Sequence, residues 1–109
     1  MTDVSTIRRQ LADRLAELTR RSAEVERELA EPMSPDSEEQ AVEAEDDEVL
    51  RGQDAALNRE RDAIVATIRR IDTGRFGVCT SCGARISPIR LKVMPTAPLC
   101  IDCARAAMP

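Results

Sequence analysis

Cys79, Cys82, Cys100 and Cys103 form two Cys-x2-Cys pairs separated by 17 residues. Each pair can wrap a tetrahedral ion with two sulfurs from one tight turn, and four thiolates are the donor set of a structural zinc site. Gly83, directly after Cys82, suits the turn, because a residue without Cβ lets backbone amides come close to the sulfurs. Four sulfurs leave the ion no open position for water, and the chain has no histidine, the commonest general base near neutral pH. The predicted chemistry is one structural Zn2+ and no catalysis. A disulfide framework would suit the even count but needs an oxidising compartment. Met1-Thr2-Asp3-Val4-Ser5-Thr6 shows no basic region followed by an apolar run, and no stretch approaches a membrane span. Reduced thiolates on a metal are therefore expected, in a soluble, cytoplasmic protein without a membrane segment. A redox reading of Cys79-Thr80-Ser81-Cys82 calls for a neighbouring βαβ pattern, which the sequence lacks.

The elements that must hold these cysteines are helical. With 109 residues, one phenylalanine and no Trp or Tyr, the chain has little bulk for a core, while one third of it is charged. Val4, Leu11, Leu18 and Val25 repeat by sevens with Ile7, Leu15 and Leu29 beside them, which predicts a helix from about Asp3 to Ala30. Arg14, Arg21 and Glu28 stand at what would be the second seam position, so the helix is expected to pack on a single partner. Pro32 and Pro35 in Glu31-Pro32-Met33-Ser34-Pro35-Asp36-Ser37 break the pattern. A second helix is predicted from Asp36 or Ser37 to about Asp72, capped by Asp36 with Glu39 or by Ser37 with Gln40. Its seam is Leu50, Leu57, Ile64 and Ile71, flanked by Val42, Val49, Ala56, Ala63 and Ile68.

Two such helices joined by a short turn are antiparallel neighbours. The expected fold is mainly α: an antiparallel two-helix coiled-coil hairpin over 1–73 with its tip at 31–41, then a four-cysteine zinc finger with a short terminal helix over 74–109. Gly52, costing roughly 1 kcal/mol inside a helix, points to local softness or close helix approach, with close approach the preferred reading. Gly74 and Gly77 end the second helix, and Phe76 is assigned to packing where the helix meets the finger. Pairing of the seam within one chain predicts a monomer.

Charge is unevenly placed. Residues 1–30 carry six acids and six bases, residues 31–48 nine acids and no base, and residues 49–109 five acids and ten bases. The acidic block repels nucleic acid. DNA-binding fingers of the GATA type share the cysteine spacing but need a basic segment beyond the last cysteine, where this chain has Arg105 alone. Direct sequence-specific DNA binding is not expected.

The order of hairpin, Phe-Gly-x-Cys, finger and short tail resembles the DksA/TraR family of bacterial transcription regulators, and in particular its short branch. The family finger reads Cys-x-x-Cys-x3-Ile-x3-Arg-x4-Pro-x4-Cys-x-x-Cys, met here by Cys79, Cys82, Ile86, Arg90, Pro95, Cys100 and Cys103. The resemblance implies a regulator, not an enzyme, that binds RNA polymerase with its hairpin in the secondary channel. It implies that Asp36, Glu39 and Ala41 stand at the family's Asp-x-x-Asp-x-Ala tip, Glu39 keeping the charge on a longer arm. Members that act with the alarmone guanosine tetraphosphate carry basic residues where this chain has Met94 and Ala104, so synergy with it is expected to be weak or absent. The alternatives are a zinc-stabilised coiled-coil adaptor with no polymerase role and a weak DNA-binding finger.

Overall fold

The computed structural model describes residues 3–108 apart from Met33 and the Ser37 side chain. Met1, Thr2 and Pro109, Met33 of the predicted turn, and the Ser37 hydroxyl as an alternative cap lie outside the described residues. Four helices follow in chain order: α1 Val4–Leu29, α2 Ser37–Asp72, α3 Pro88–Val93 and α4 Ile101–Ala107. Among the described residues the only β pairing is one isolated antiparallel bridge, Val78 with Arg85. The fold is mainly α, an antiparallel coiled-coil hairpin followed by the four-cysteine segment and a short last helix, as the heptads and prolines predict. Among the described residues no helix is long and apolar enough to cross a membrane.

The chain divides into two compact units, Asp13–Asp62 and Met1–Ala12 with Ala63–Pro109. In the first, Leu18 is fully buried, while Leu15, Val25, Leu29, Leu50 and Leu57 are half-buried. Arg14 forks onto Glu60, Nε to Oε1 at 2.9 Å and Nη2 to Oε2 at 3.1 Å. Ser22, 2% exposed, donates its hydroxyl to Asp54 Oδ1 at 2.5 Å. Pairing of 14 with 60 and 22 with 54 makes the helices antiparallel.

These contacts correct the predicted seam. The second seam position of α1 is Leu15, Ser22 and Leu29, four residues after Leu11, Leu18 and Val25; Arg21 and Glu28 are exposed. On α2 the matching position holds Asp54 and Arg61, both half-buried. Arg61 donates Nη1 to Asn58 Oδ1 at 2.9 Å, and its buried Nε has no acceptor among the described residues. Val42 and Val49, predicted beside the seam, are 58% and 60% exposed. Gly52 is exposed too, and a Cβ built there meets nothing within 4 Å, which overturns close helix approach as its reason. Two residues beyond Leu50 is roughly 200° around a helix, so Gly52 faces away from the partner.

In the second unit Leu11, Ile64, Thr67, Cys79, Ile86 and Ala97 are buried. Thr67 donates its hydroxyl to Ala63 O at 2.7 Å. Arg8 forks onto Asp72, Nε to Oδ1 at 2.8 Å and Nη2 to Oδ2 at 3.0 Å. These hydrogen bonds, with the Arg8 charge, hold the Asp72 carboxyl below the usual carboxylate range. The pair therefore stabilises above the unfolded value of about 3.9, and its contribution is lost as pH falls through the lower folded one. With side chains 45% and 50% exposed, that contribution is small. Gly74 ends α2 as predicted: at φ 73° its N–H donates to Ile71 O at 3.1 Å, and Arg75 N–H donates to Arg70 O at 2.8 Å, a Schellman closure. Phe76 is half-buried and lines a groove of about 440 Å³ with Val4, Ile7, Pro88, Leu91 and Pro95 among others.

Burial ranks the apolar residues differently from periodicity alone. Leu18→Ala is expected to cost about 3 kcal/mol in urea unfolding of the zinc-loaded protein. Val42→Ala should stay within about 0.5 kcal/mol. Similar losses for both would refute the seam described here.

Candidate metal centre and hairpin tip

The first cysteine pair sits in a tight loop closed by three backbone bonds. Gly83 N–H donates to Cys79 O at 3.0 Å, Cys79 N–H to Ala84 O at 2.8 Å and Ile86 N–H to Gly77 O at 2.8 Å. Gly83 has φ 76°, and a Cβ there would meet nothing within 4 Å. Its requirement is therefore the left-handed backbone and not the room for amides that the sequence suggests.

The second pair is delivered by α3 and α4. Arg90, on α3, donates Nε to Leu99 O at 3.0 Å, fixing the residue before Cys100. Thr80 N–H donates to Pro98 O at 2.9 Å, tying that loop to the first pair. Cys100 is the N-cap residue of α4 in extended conformation, and its carbonyl accepts Ala104 N–H at 2.9 Å. Cys103 lies in the first turn of that helix. Arg90 and Ile86 thus act as supports of the cysteine loops, one by a hydrogen bond and the other by burial.

The four sulfurs all lie within 4.8 Å of one another, and Cys82 and Cys100 Sγ are 3.8 Å apart. A tetrahedral zinc with Zn–S of about 2.3 Å needs sulfurs about 3.8 Å apart. None of the four is in a disulfide, whose S–S bond is about 2.05 Å. Backbone amides of Cys100 and Cys82 bring the Cys79 thiol down to about 6. Hydrogen bonding with the sulfurs of Cys100, Cys82 and Cys79 pushes Cys103 up to about 12. Four thiol sulfurs at this spacing fit one tetrahedral zinc ion.

At the start of α2, Asp36 is the cap. Its Oδ1 accepts Glu38 N–H at 2.9 Å and Glu39 N–H at 3.1 Å, while its carbonyl accepts Gln40 N–H at 2.8 Å. The reciprocal half of a capping box does not form: Glu39 Oε2 instead accepts the Ser34 hydroxyl at 2.5 Å. Ser34 organises the turn. Its Oγ accepts Asp36 N–H at 3.2 Å, its N–H donates to Glu43 Oε2 at 2.9 Å and its carbonyl accepts Gln40 Nε2 at 2.6 Å. Asp36 and Glu39 are thereby brought onto one turn, and both are exposed, as is Ala41. Sequence reasoning missed Ser34. Its signal was a hydroxyl residue two before the cap and five before Glu39, the kind that bonds nearby backbone in turns. Glu43, read with the solvated acids, is half-buried and bonded here.

Residues 7–71 match the family described as DnaK suppressor protein-like, N-terminal domain, and residues 74–107 the prokaryotic dksA/traR C4-type zinc finger. The RNA polymerase-binding transcription factor DksA of Haemophilus influenzae is 42% identical over 73 residues, which are 63% of this chain and 48% of that protein. Its namesake from Escherichia coli K12 is 43% identical over 51 residues, 42% of this chain and 34% of that protein. The chain thus spans about half, or less, of these curated relatives. Among solved structures, transcription factor DksA2 from Pseudomonas aeruginosa superposes with TM-score 0.80 at 25% identity, covering 94% of this chain and 81% of that one. The DnaK suppressor protein from Agrobacterium tumefaciens C58 gives TM-score 0.65 at 42% identity, covering 97% and 95%. Matched through both its hairpin and its four-cysteine segment, the chain belongs to the DksA/TraR family of zinc-finger proteins.

Proposed function

We propose that this chain is a bacterial transcription regulator that binds RNA polymerase through its hairpin, reaches into the secondary channel and modulates initiation through Asp36, Glu39 and Ala41. The observation that carries this reading is the tip geometry: Asp36 and Glu39 are fixed in one exposed turn of a hairpin whose relatives are named RNA polymerase-binding factors. Capping uses one Asp36 oxygen and leaves Oδ2 without a partner among the described residues. The nine acids and no base of residues 31–48 suit a basic channel and disfavour nucleic acid. No residue is assigned a catalytic role, because four thiolates close the metal's coordination and histidine is absent.

In this reading residues 1–73 carry recognition, residues 74–109 form the zinc-held finger, and the protein works as a cytoplasmic monomer. Cys79, Cys82, Cys100 and Cys103 are the proposed ligands. Structural zinc contributes on the order of 10 kcal/mol of apparent folding free energy, which suits a segment with so few buried side chains.

Titrated into bacterial RNA polymerase core enzyme, the zinc-loaded protein should be displaced by the Escherichia coli DksA of the comparison. Asp36→Asn with Glu39→Gln should keep that affinity within about threefold while lowering the effect on transcription about tenfold or more. No binding at micromolar protein would discard the polymerase reading in favour of an adaptor. On a responsive ribosomal promoter, saturating guanosine tetraphosphate should change the protein's effect by less than about twofold, since Met94 and Ala104 offer no charge for a phosphate. Sharp enhancement would refute that part. Zinc removal by a chelator should abolish amide protection at Cys79 and Ile86, whose partners are Ala84 and Gly77. Retained protection at both in a zinc-free sample would show that the metal does not hold the loop.

A further inference from the structure

A half-buried guanidinium calls for a counter-charge, and Arg70 has none among the described residues. Its Nη2 donates to Thr67 Oγ1 at 2.9 Å and to Thr96 O at 3.4 Å, both uncharged. Among the described residues the carboxylates paired with arginine are Asp72 with Arg8, and Glu17 and Glu60 with Arg14. Burial lowers the Arg70 pKa with no opposing contribution from an acid. The position is not accidental slack in a long side chain, because Thr67 is itself fully buried and bonded to Ala63 O. Arg70 lines a cavity of about 320 Å³ together with Arg75, Val78, Cys79, Thr80 and Gly83.

Cys79, which lines this cavity with Arg70, belongs to the four-cysteine cluster. Zinc held by four thiolates carries two net negative charges, and Asp102, between Cys100 and Cys103, adds another nearby in sequence. Arg90 is committed to Leu99 O, and Arg85, Lys92 and Arg105 are exposed. We propose that Arg70 is a positioning residue for the metal: its anchored guanidinium supplies the positive charge beside Cys79 that the four-thiolate zinc centre requires, and so slows loss of the ion. The same cavity offers Arg70 and Arg75 to a free anion, but the loaded centre places its own negative charge at the wall and disfavours a second one.

The test is zinc release from the full-length, zinc-loaded chain to an excess of chromophoric chelator, at low salt and at about 0.5 M salt, where the screening length falls to a few ångströms. Arg70→Gln removes the charge and keeps a hydrogen-bond donor; Arg70→Lys keeps the charge and alters the donor geometry. Release should be about tenfold faster for the Gln variant at low salt and within about threefold of wild type for the Lys variant, with the Gln effect shrinking at high salt. Equal acceleration by both, insensitive to salt, would assign Arg70 to a structural tie with Thr67 and Thr96 and overturn the proposal. So would unchanged release in the Gln variant. Should that variant not fold, Thr67→Val frees the guanidinium in the otherwise intact chain and should speed release about threefold, an unchanged rate overturning the proposal. Inorganic phosphate at constant ionic strength should leave wild-type release unaltered. Protection by phosphate would make the cavity an anion site instead.

Discussion

Four sulfurs drawn within 4.8 Å of one another set the constraint on which the structure of residues 74–107 depends. The segment has no strand among its described residues, two helices of six and seven residues, and only Cys79, Ile86 and Ala97 buried in it. Helices this short do not persist in water on their own. Their loops are positioned by single bonds, Thr80 to Pro98, Arg90 to Leu99 and Ile86 to Gly77. Each is worth about 1 kcal/mol net, too little to offset the ordering of roughly thirty residues. A metal joining both loops at one point changes that balance, because it cross-links positions 18 residues apart and satisfies thiolates that would otherwise repel.

The hairpin solves a different problem with different means. Its seam in residues 13–62 is not uniformly apolar: Ser22 meets Asp54, and Arg61 occupies a neighbouring seam position, its Nε without an acceptor among the described residues. A serine and a carboxylate in a helix seam add less stability than two leucines would. Such residues fix register, since sliding one helix past the other would bury the acid without its donor. The fork of Arg14 onto Glu60 at the edge adds a second registration point.

Most of this was legible because it is periodic. The sevenfold repeats, the two prolines and the glycine at 74 place both long helices to within a residue or two, and the cysteine spacing marks the metal site. What periodicity does not carry is azimuth. Sevenfold repeats identify one row of a seam, and the second row reads as Arg14, Arg21 and Glu28 because Ser22 does not look apolar. The same uncertainty puts Val42 and Val49 near the seam and gives Gly52 a partner it lacks. At Gly83 the residue is recognisable and its reason is not, because a positive φ is a backbone property that composition does not display. Ser34 was invisible for another cause: four of its bonds reach residues two to nine positions away, and no period relates them.

That turn also bears on how the tip works in the proposed role. A helix cap must hold its carboxylate still to be useful to the backbone, and Asp36 does so through Oδ1. The same rigidity presents Oδ2 in a fixed direction without further ordering cost on binding. Glu39 has one methylene more than the aspartate of the family motif, and a freely extended arm would carry its charge farther out. Here the Ser34 hydroxyl takes Glu39 Oε2, which folds the longer arm back against the turn. The extra length is absorbed locally: Ser34 holds the Glu39 carboxylate and the Asp36 backbone N–H, while the Asp36 carboxylate is held by the first amides of α2.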